Sequence, residues 1–156
     1  MLTMSSCATL SSNDDAASVG DATLSRDDFQ VYLRDYLSVA RPDSPVDQIG
    51  GNDARGLLSS WVGDQLIIQY LESVGVQITD ADRQAASAEV DASLSDPGSI
   101  TKTTYDLVVQ GGAARTVFQN TQDPGSLGPF AQDVDVDVDS RYGYWDIESG
   151  SIVAFG

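Results

Sequence analysis

The sequence predicts a mainly α fold with a small β-sheet, an α+β domain in which N- and C-terminal strands close a set of helices. Between residues 26 and 120, apolar side chains recur at the three- to four-residue spacing of amphipathic helices. From Asp133 to Asp139 the period changes, because valine and aspartate alternate strictly, as in a half-buried strand. The length of 156 residues suits one domain with a modest core.

The first elements are expected to be a short hairpin and a helix. Residues 17–19 and 22–25 predict two strands joined by a glycine–aspartate turn. Ser25 suits the N-cap of the helix that follows, and the two aspartates after it favour the positive end of a helix dipole. This helix should reach about Ala40, because a proline follows shortly afterwards.

After a connection rich in proline, glycine and aspartate, residues 53–74 predict the most apolar helix of the chain. Its second half is apolar nearly all round, which is typical of a helix at the buried centre of a domain. Gly75 stands where a left-handed C-terminal cap belongs, and Val76 supplies the apolar contact that accompanies such a cap.

Two further helices are predicted. The first runs from an N-cap at Thr79 to about Leu94; it is alanine-rich and weakly apolar, so it should lie exposed. The second covers roughly residues 100–120 and carries an apolar stripe on one face. Gly111 and Gly112 weaken this helix by about 1 kcal/mol each relative to alanine. Close approach to the helix that contains Trp61 would compensate for that cost.

The C-terminal part is expected to form a loop and three strands. Residues 123–129 predict a loop, and the alternating segment 133–139 predicts a strand with its valines directed inward. Residues 144–147 and 151–155 predict a hairpin closed by the Glu-Ser-Gly turn between them.

The composition excludes several function classes. The net charge of −16 argues against nucleic acid as a partner, because phosphate binding needs a basic face. The chain has no histidine, which removes the commonest general base and zinc ligand, and its single cysteine excludes an internal disulfide. No acid lies in a recognisable catalytic setting. We therefore expect a protein that is not an enzyme and uses no cofactor.

The first residues, MLTMSSCA, resemble the end of a bacterial lipoprotein signal, in which small residues precede a lipid-modified cysteine. The resemblance implies lipid attachment at Cys7 and makes that lipid the expected contact with a membrane. Residues 1–16 are then a signal remnant and polar tether, and residues 17–156 form the domain. The alternative is an ordinary N-terminus with an incidental cysteine.

Three stretches resemble the N-terminal chaperone domain of the SurA and PrsA proteins. VGDATLSRDDF at residues 19–29 is similar to their V-N-G-x-x-I-T-x-x-E-F opening, with the aspartate shifted against the usual glycine. LIIQYLESVGVQITDAD at residues 66–82 is similar to their L-I-x-x-x-L-x-x-x-x-G-I-x-V-T-D-x-E segment. VDVDSRYGYWD at residues 136–146 is similar to the V-N-P-R-Y-G-x-W-D ending of actinobacterial lipoproteins of this type, with Ser140 in place of proline.

The resemblance implies a helical domain, closed by N- and C-terminal strands, that binds unfolded or exported polypeptides outside the cytoplasm. The parvulin-type prolyl isomerase module that many relatives carry is missing. The predicted function is therefore that of a non-catalytic, extracytoplasmic chaperone-like domain in the cell envelope. A third hypothesis, beside the calcium-dependent one described below, is a structural subunit of an envelope complex.

Aromatic side chains are the candidates for contact with a client polypeptide. Such residues either form a contact surface or cover a small core, and the sequence leaves both interpretations open. The candidates are Phe29, Tyr32, Tyr36, Trp61, Tyr142, Tyr144 and Trp145.

The alternating aspartates allow one alternative from another class, a calcium-dependent surface protein. Asp135, Asp137, Asp139 and Asp146 have part of the spacing of a calcium-binding loop, but Ser140 occupies the position of the required glycine. The intervening valines favour a strand, whose solvated aspartates would protect a sheet edge from aggregation. The strand is the preferred interpretation.

Overall fold

The computed structural model describes residues 14–43 and 50–156, and it confirms the α+β prediction. The described part of the chain is mainly helical and carries two small antiparallel sheets. Its helices are α1 (Arg26–Ala40), α2 (Gly51–Ser73), α3 (Asp80–Ser93), α4 (Lys102–Thr121) and α5 (Leu127–Ala131). Its strands are β1 (Asp15–Val19), β2 (Ala22–Ser25), β3 (Val136–Val138), β4 (Tyr144–Asp146) and β5 (Ser151–Val153).

The strands from the two ends of the chain form the predicted closing sheet. β1 lies between β2 and β3, and both neighbours run antiparallel to it. The first strand begins two residues earlier than predicted, at Asp15 rather than residue 17. Ala16 is fully buried in the core, so the boundary expected between residues 16 and 17 lies inside this strand. β4 and β5 form the separate C-terminal hairpin that the sequence predicted.

The predicted helix boundaries depend on capping contacts, and the structure contains them. The Ser25 hydroxyl accepts a hydrogen bond from the Asp28 N–H at 3.1 Å, and Thr79 does the same for Asp82 at 3.3 Å. Gly75 has a φ of +76°, the left-handed conformation that glycine adopts most easily. The Val76 N–H then donates to the Leu71 carbonyl at 2.8 Å, which closes the end of α2.

Helix α2 is the buried centre of the domain, as predicted. It contacts α1, α4, α5, β1 and β5. Two polar contacts also attach the sheets to it. The Gln69 amide donates to the Val19 carbonyl at 2.6 Å, and the Ser59 hydroxyl accepts from the Ile152 N–H at 2.8 Å. Helix α3 is exposed along most of its length, with Ala86 as its buried residue.

Two C-terminal predictions were partly wrong. Residues 123–129, predicted as a loop, include a 3₁₀ turn at Pro124–Ser126 and the start of α5. A proline is tolerated there because the first turn of a helix needs no donor from it. The strand predicted over residues 133–139 is shorter in the structure, where β3 covers Val136–Val138.

Candidate polypeptide-binding groove

A groove of about 440 Å³ lies between the C-terminal half of α2, the α2–α3 connection, α3 and α4. Ile68, Leu71, Val76 and Ile78 give it an apolar lining, and two of them, Ile68 and Leu71, belong to the buried part of α2. Its polar lining comes from Glu72, Gln77, Arg83 and Gln110. An apolar floor beside a few polar groups is the usual composition of a ligand-binding cleft.

The local sequence produces this groove through a reversal of the chain between two helices. Gly75 ends α2 in the left-handed conformation, and Thr79 begins α3 with its own side-chain cap. The intervening segment, Val76–Ile78, has no regular secondary structure. The main-chain N–H groups of Gln77 and Ile78 donate to no other residue within the described part of the chain. The segment that lines the groove therefore carries two main-chain N–H groups without a partner among the described residues.

The charged groups around the groove are unevenly paired. Arg83 forms an ion pair with Asp80 at 3.2 Å. Hydrogen bonds from the Thr79 side chain and main chain hold the pKa of Asp82 below its ordinary value, so this carboxylate stays ionised at the start of α3. Glu72 is exposed in the last turn of α2 and has no ion-pair partner among the described residues.

No protein-family model matches the chain, and neither a curated protein nor a solved structure matches it. The likeness to SurA and PrsA proteins therefore rests on the three sequence stretches and stays a prediction. Cys7 lies outside the described residues, so lipid attachment also stays a prediction. None of the helices between residues 14 and 156 that the structure describes has the length and hydropathy needed to cross a bilayer.

Three of the predicted contact residues belong to the core instead. Phe29, Tyr32 and Trp61 are 0%, 8% and 4% exposed, so they are not available to a partner at the surface. Burial raises the pKa of the Tyr32 phenol to about 12, with a smaller contribution from the nearby Asp64 carboxylate. For these three side chains the core interpretation is correct, because their helices turn them towards the β1–β2 hairpin and one another.

The other four aromatic candidates divide between covering the core and lying at the surface. Tyr142 packs edge-to-face on Phe29 with ring centroids 5.1 Å apart, and the half-buried Trp145 also packs against the core. Tyr36 and Tyr144 are 48% and 45% exposed. None of the seven candidates lines the α2–α3–α4 groove.

Sequence reasoning missed the groove residues although they lie in a stretch that it singled out. Val76 and Ile78 flank an exposed glutamine directly after the glycine cap. Apolar residues at alternate positions, between a helix end and the next N-cap, are a signal for a short segment with one face against the protein. That signal could have located the groove.

The four candidate calcium ligands do not converge within the described residues, so the structure gives this alternative no support. Asp135 and Asp137 are exposed at the edge of the three-stranded sheet. Asp139 forms an ion pair with Arg26 at 3.2 Å. Asp146 accepts a hydrogen bond from the Ser149 hydroxyl at 2.6 Å, which lowers the pKa of this carboxyl. Within residues 14–43 and 50–156, no group of three or more acidic or cysteine side chains could hold a metal ion.

Calcium should therefore leave the melting temperature within about 1 °C of its value in equal magnesium, because an ion that binds no native site gives no specific stabilisation. The magnesium comparison, at matched ionic strength, removes the general screening expected for a chain of net charge −16. Thermal unfolding with millimolar calcium, magnesium or EDTA measures this. A calcium-specific rise of several degrees, lost in Asp137→Asn, would contradict the geometry.

Proposed function

We propose that this chain is a non-catalytic, extracytoplasmic, chaperone-like domain that binds segments of unfolded or exported polypeptides in the α2–α3–α4 groove. The observation that carries the proposal is the half-buried apolar lining that Val76 and Ile78 give the groove, in the same segment as the main-chain N–H groups of Gln77 and Ile78, which have no partner within the described residues. The resemblance of three sequence stretches to SurA and PrsA domains supports the same function.

The chemistry of the groove suits a ligand recognised by general properties. An apolar side chain placed on Val76 and Ile78, which are half-buried in the groove lining, would lose its contact with water, which favours binding. The N–H groups of Gln77 and Ile78 can donate to carbonyl groups of any extended segment, whatever its sequence. Binding of this kind is broad in specificity and modest in affinity, as a domain with many clients requires.

A structural subunit of an envelope complex is a second candidate, and one observation favours it. The C-terminal hairpin exposes Tyr144, Ile147 and Phe155, of which the last is 61% exposed. The rings of Tyr144 and Phe155 lie 5.4 Å apart and form one apolar surface. A folded partner would cover such a surface, whereas an extended client would enter the groove.

The deciding experiment fills the groove without removing any core side chain. Gln110→Trp places a large ring on the rim of the groove, from an exposed position of α4. We expect the wild-type protein to suppress aggregation of a denatured client at near-stoichiometric ratios. Gln110→Trp should lose most of this suppression, because the ring occupies the space that an apolar client side chain needs.

The matched control is Gln119→Trp, which adds the same ring at an exposed position of α4 outside the groove. Positions nine residues apart lie about 180° apart around an α-helix and about 14 Å apart along its axis, so the control places the same ring on α4 away from the groove. Equal suppression by both variants would contradict the groove. Loss of activity in a triple Tyr144→Ser, Ile147→Ser, Phe155→Ser variant instead would favour the second candidate.

A further inference from the structure

The C-terminal end of α2 combines two negative features that no positive side chain offsets. The last turn of a helix carries partial negative charge from its carbonyl groups, and basic residues there are favourable. The last turn of α2 contains no basic residue and contains Glu72 instead. A carboxylate at this end is unfavourable for the free protein. Glu72 is the feature that faces the groove, because it is part of its lining. The carbonyl groups of the last turn accept main-chain hydrogen bonds from residues 74–76.

The cation on the opposite wall does not neutralise this end. Arg83 is paired with Asp80, which belongs to the same helix, and it forms no ion pair with Glu72. Gln77 and Gln110, the other polar lining residues, carry no charge. The groove therefore presents an apolar floor next to an unneutralised carboxylate, on a protein whose net charge is −16.

We propose, building on the function above, that the groove selects polypeptide segments in which an apolar residue lies within two positions of a lysine or arginine. The apolar side chain lies on Val76 and Ile78, which are half-buried in the groove lining, and the cation pairs with Glu72 at the end of α2. Side chains of an extended segment project alternately, so neighbouring positions can reach the floor and the rim together. A second copy of this chain is a poor occupant, because the two copies would repel each other.

Three labelled peptides of equal length test this selection. Each carries one central leucine, flanked by lysine, by glutamine or by glutamate. Fluorescence anisotropy with the wild-type protein should show the lysine peptide binding about three- to fivefold more tightly than the glutamine peptide, as for a solvent-exposed ion pair. The glutamate peptide should bind most weakly. The preference should decrease at high salt, because exposed charges are screened.

Two charge reversals separate a local contact from the general field of the protein. Glu72→Lys should invert the order, so that the glutamate peptide binds more tightly than the lysine peptide. Glu89→Lys makes the same change at an exposed site of α3 outside the groove, and it should keep the wild-type order. Glu72→Lys places a basic residue at the end of α2, so its melting temperature should be equal to or above that of the wild type.

The failures of this inference and of the proposed function differ. If both charge reversals change lysine-peptide binding equally, the overall charge of the protein is responsible and the inference is overturned. The proposed groove function still holds in that case if Gln110→Trp blocks binding of the glutamine peptide. If the glutamine peptide does not bind, or binds equally to Gln110→Trp, the groove function itself is overturned. A wild-type dimer that Glu72→Lys dissociates, seen by light scattering, would assign the groove to a second copy and also overturn the inference.

Discussion

Replacing Gly111 with alanine should destabilise the domain by about 1–3 kcal/mol, although alanine is the better helix former. Gly111 is buried where α4 crosses α2. A Cβ atom at this position would approach the Asp64 carboxylate carbon to 2.7 Å, and one carboxylate oxygen more closely still. Such a contact requires either the side chain or the two helices to move.

Asp64 has little freedom to move away. Its side chain is 13% exposed, and it forms an ion pair with Arg115 from the next turn of α4. Burial raises the pKa of the Asp64 carboxyl, while the Arg115 charge and hydrogen bond act in the opposite direction. Rotation of Asp64 would separate this partly buried carboxylate from the cation that compensates for its burial. Separation of the helices would instead open space in the core.

The neighbouring glycine is the matched control. A Cβ atom at Gly112 would lie 3.7 Å from the Ala86 Cβ, an ordinary contact. Gly112→Ala should therefore stabilise the protein by up to about 1 kcal/mol through helix propensity. Urea unfolding should therefore show a lower free energy of unfolding for Gly111→Ala and a higher one for Gly112→Ala, although the two positions are adjacent in one helix. Stabilisation by both substitutions would show that α2 and α4 do not approach as closely as described.

A third variant assigns the cause. In the Gly111→Ala, Asp64→Ala double variant the clash is removed together with the carboxylate. The cost of Gly111→Ala should then be smaller than in the wild-type background, with a coupling of about 1 kcal/mol or more between the two sites. Additive effects would mean that the alanine at position 111 acts on something other than Asp64.

Local sequence signals predicted the ends of helices well, because those ends depend on neighbouring residues. Ser25 and Thr79 cap helices through contacts with residues three positions away. Gly75 adopts the left-handed conformation that glycine itself favours. The approach of Gly111 to the helix of Trp61 could also be predicted, because a glycine inside a helix lowers helix stability and close packing against another helix compensates for that cost. Its contact with Asp64 could not be predicted, since 47 positions separate them and any of many aspartates could have filled that place.

The functional residues were harder to predict than the fold, because their surroundings also depend on contacts between distant parts of the chain. The sequence marks aromatic residues as contacts or as core, and the choice depends on which face each helix turns inward. Phe29 and Trp61 are core because the terminal sheet covers α1 and α2, an arrangement between distant segments. The groove arises from aliphatic residues beside a chain reversal, and its fourth wall comes from α4, far along the chain.

Asp35 should be the acidic residue whose loss costs most, at about 3 kcal/mol for Asp35→Ala. It is 8% exposed on α1, and one carboxylate oxygen accepts three hydrogen bonds at the start of α4. The donors are the Thr101 N–H at 2.8 Å, the Thr101 hydroxyl at 2.7 Å and the Thr104 hydroxyl at 2.6 Å. Alanine would leave the Thr104 hydroxyl, which is 2% exposed, without this acceptor.

A carboxylate elsewhere on the same helix is the control. Asp27 is exposed in the first turn of α1 and makes no comparable set of bonds among the described residues, so Asp27→Ala should cost less than about 1 kcal/mol. Equal losses for the two variants in urea unfolding would show that charge at the helix, rather than the link from α1 to α4, determines the effect.

The pH dependence of Asp35→Asn tests the charge of this link. Burial acts to raise the pKa of Asp35, but hydrogen bonds from Thr104 and Thr101 outweigh it and hold the pKa below its ordinary value. The folded protein therefore binds fewer protons here than the unfolded chain, and the carboxylate stabilises the fold fully above the ordinary pKa of about 4. This stabilisation is lost as pH falls through the lower folded pKa.

The stability difference between wild type and Asp35→Asn should consequently be constant from about pH 7 to pH 5 and shrink towards about pH 3. The comparison between the two proteins matters, because the raised pKa of Asp64 gives the opposite pH slope and is present in both. Urea unfolding at each pH measures the difference directly. A difference that stays unchanged down to about pH 3 would show that Asp35 acts through shape alone, with its ionised form contributing nothing to the α1–α4 link.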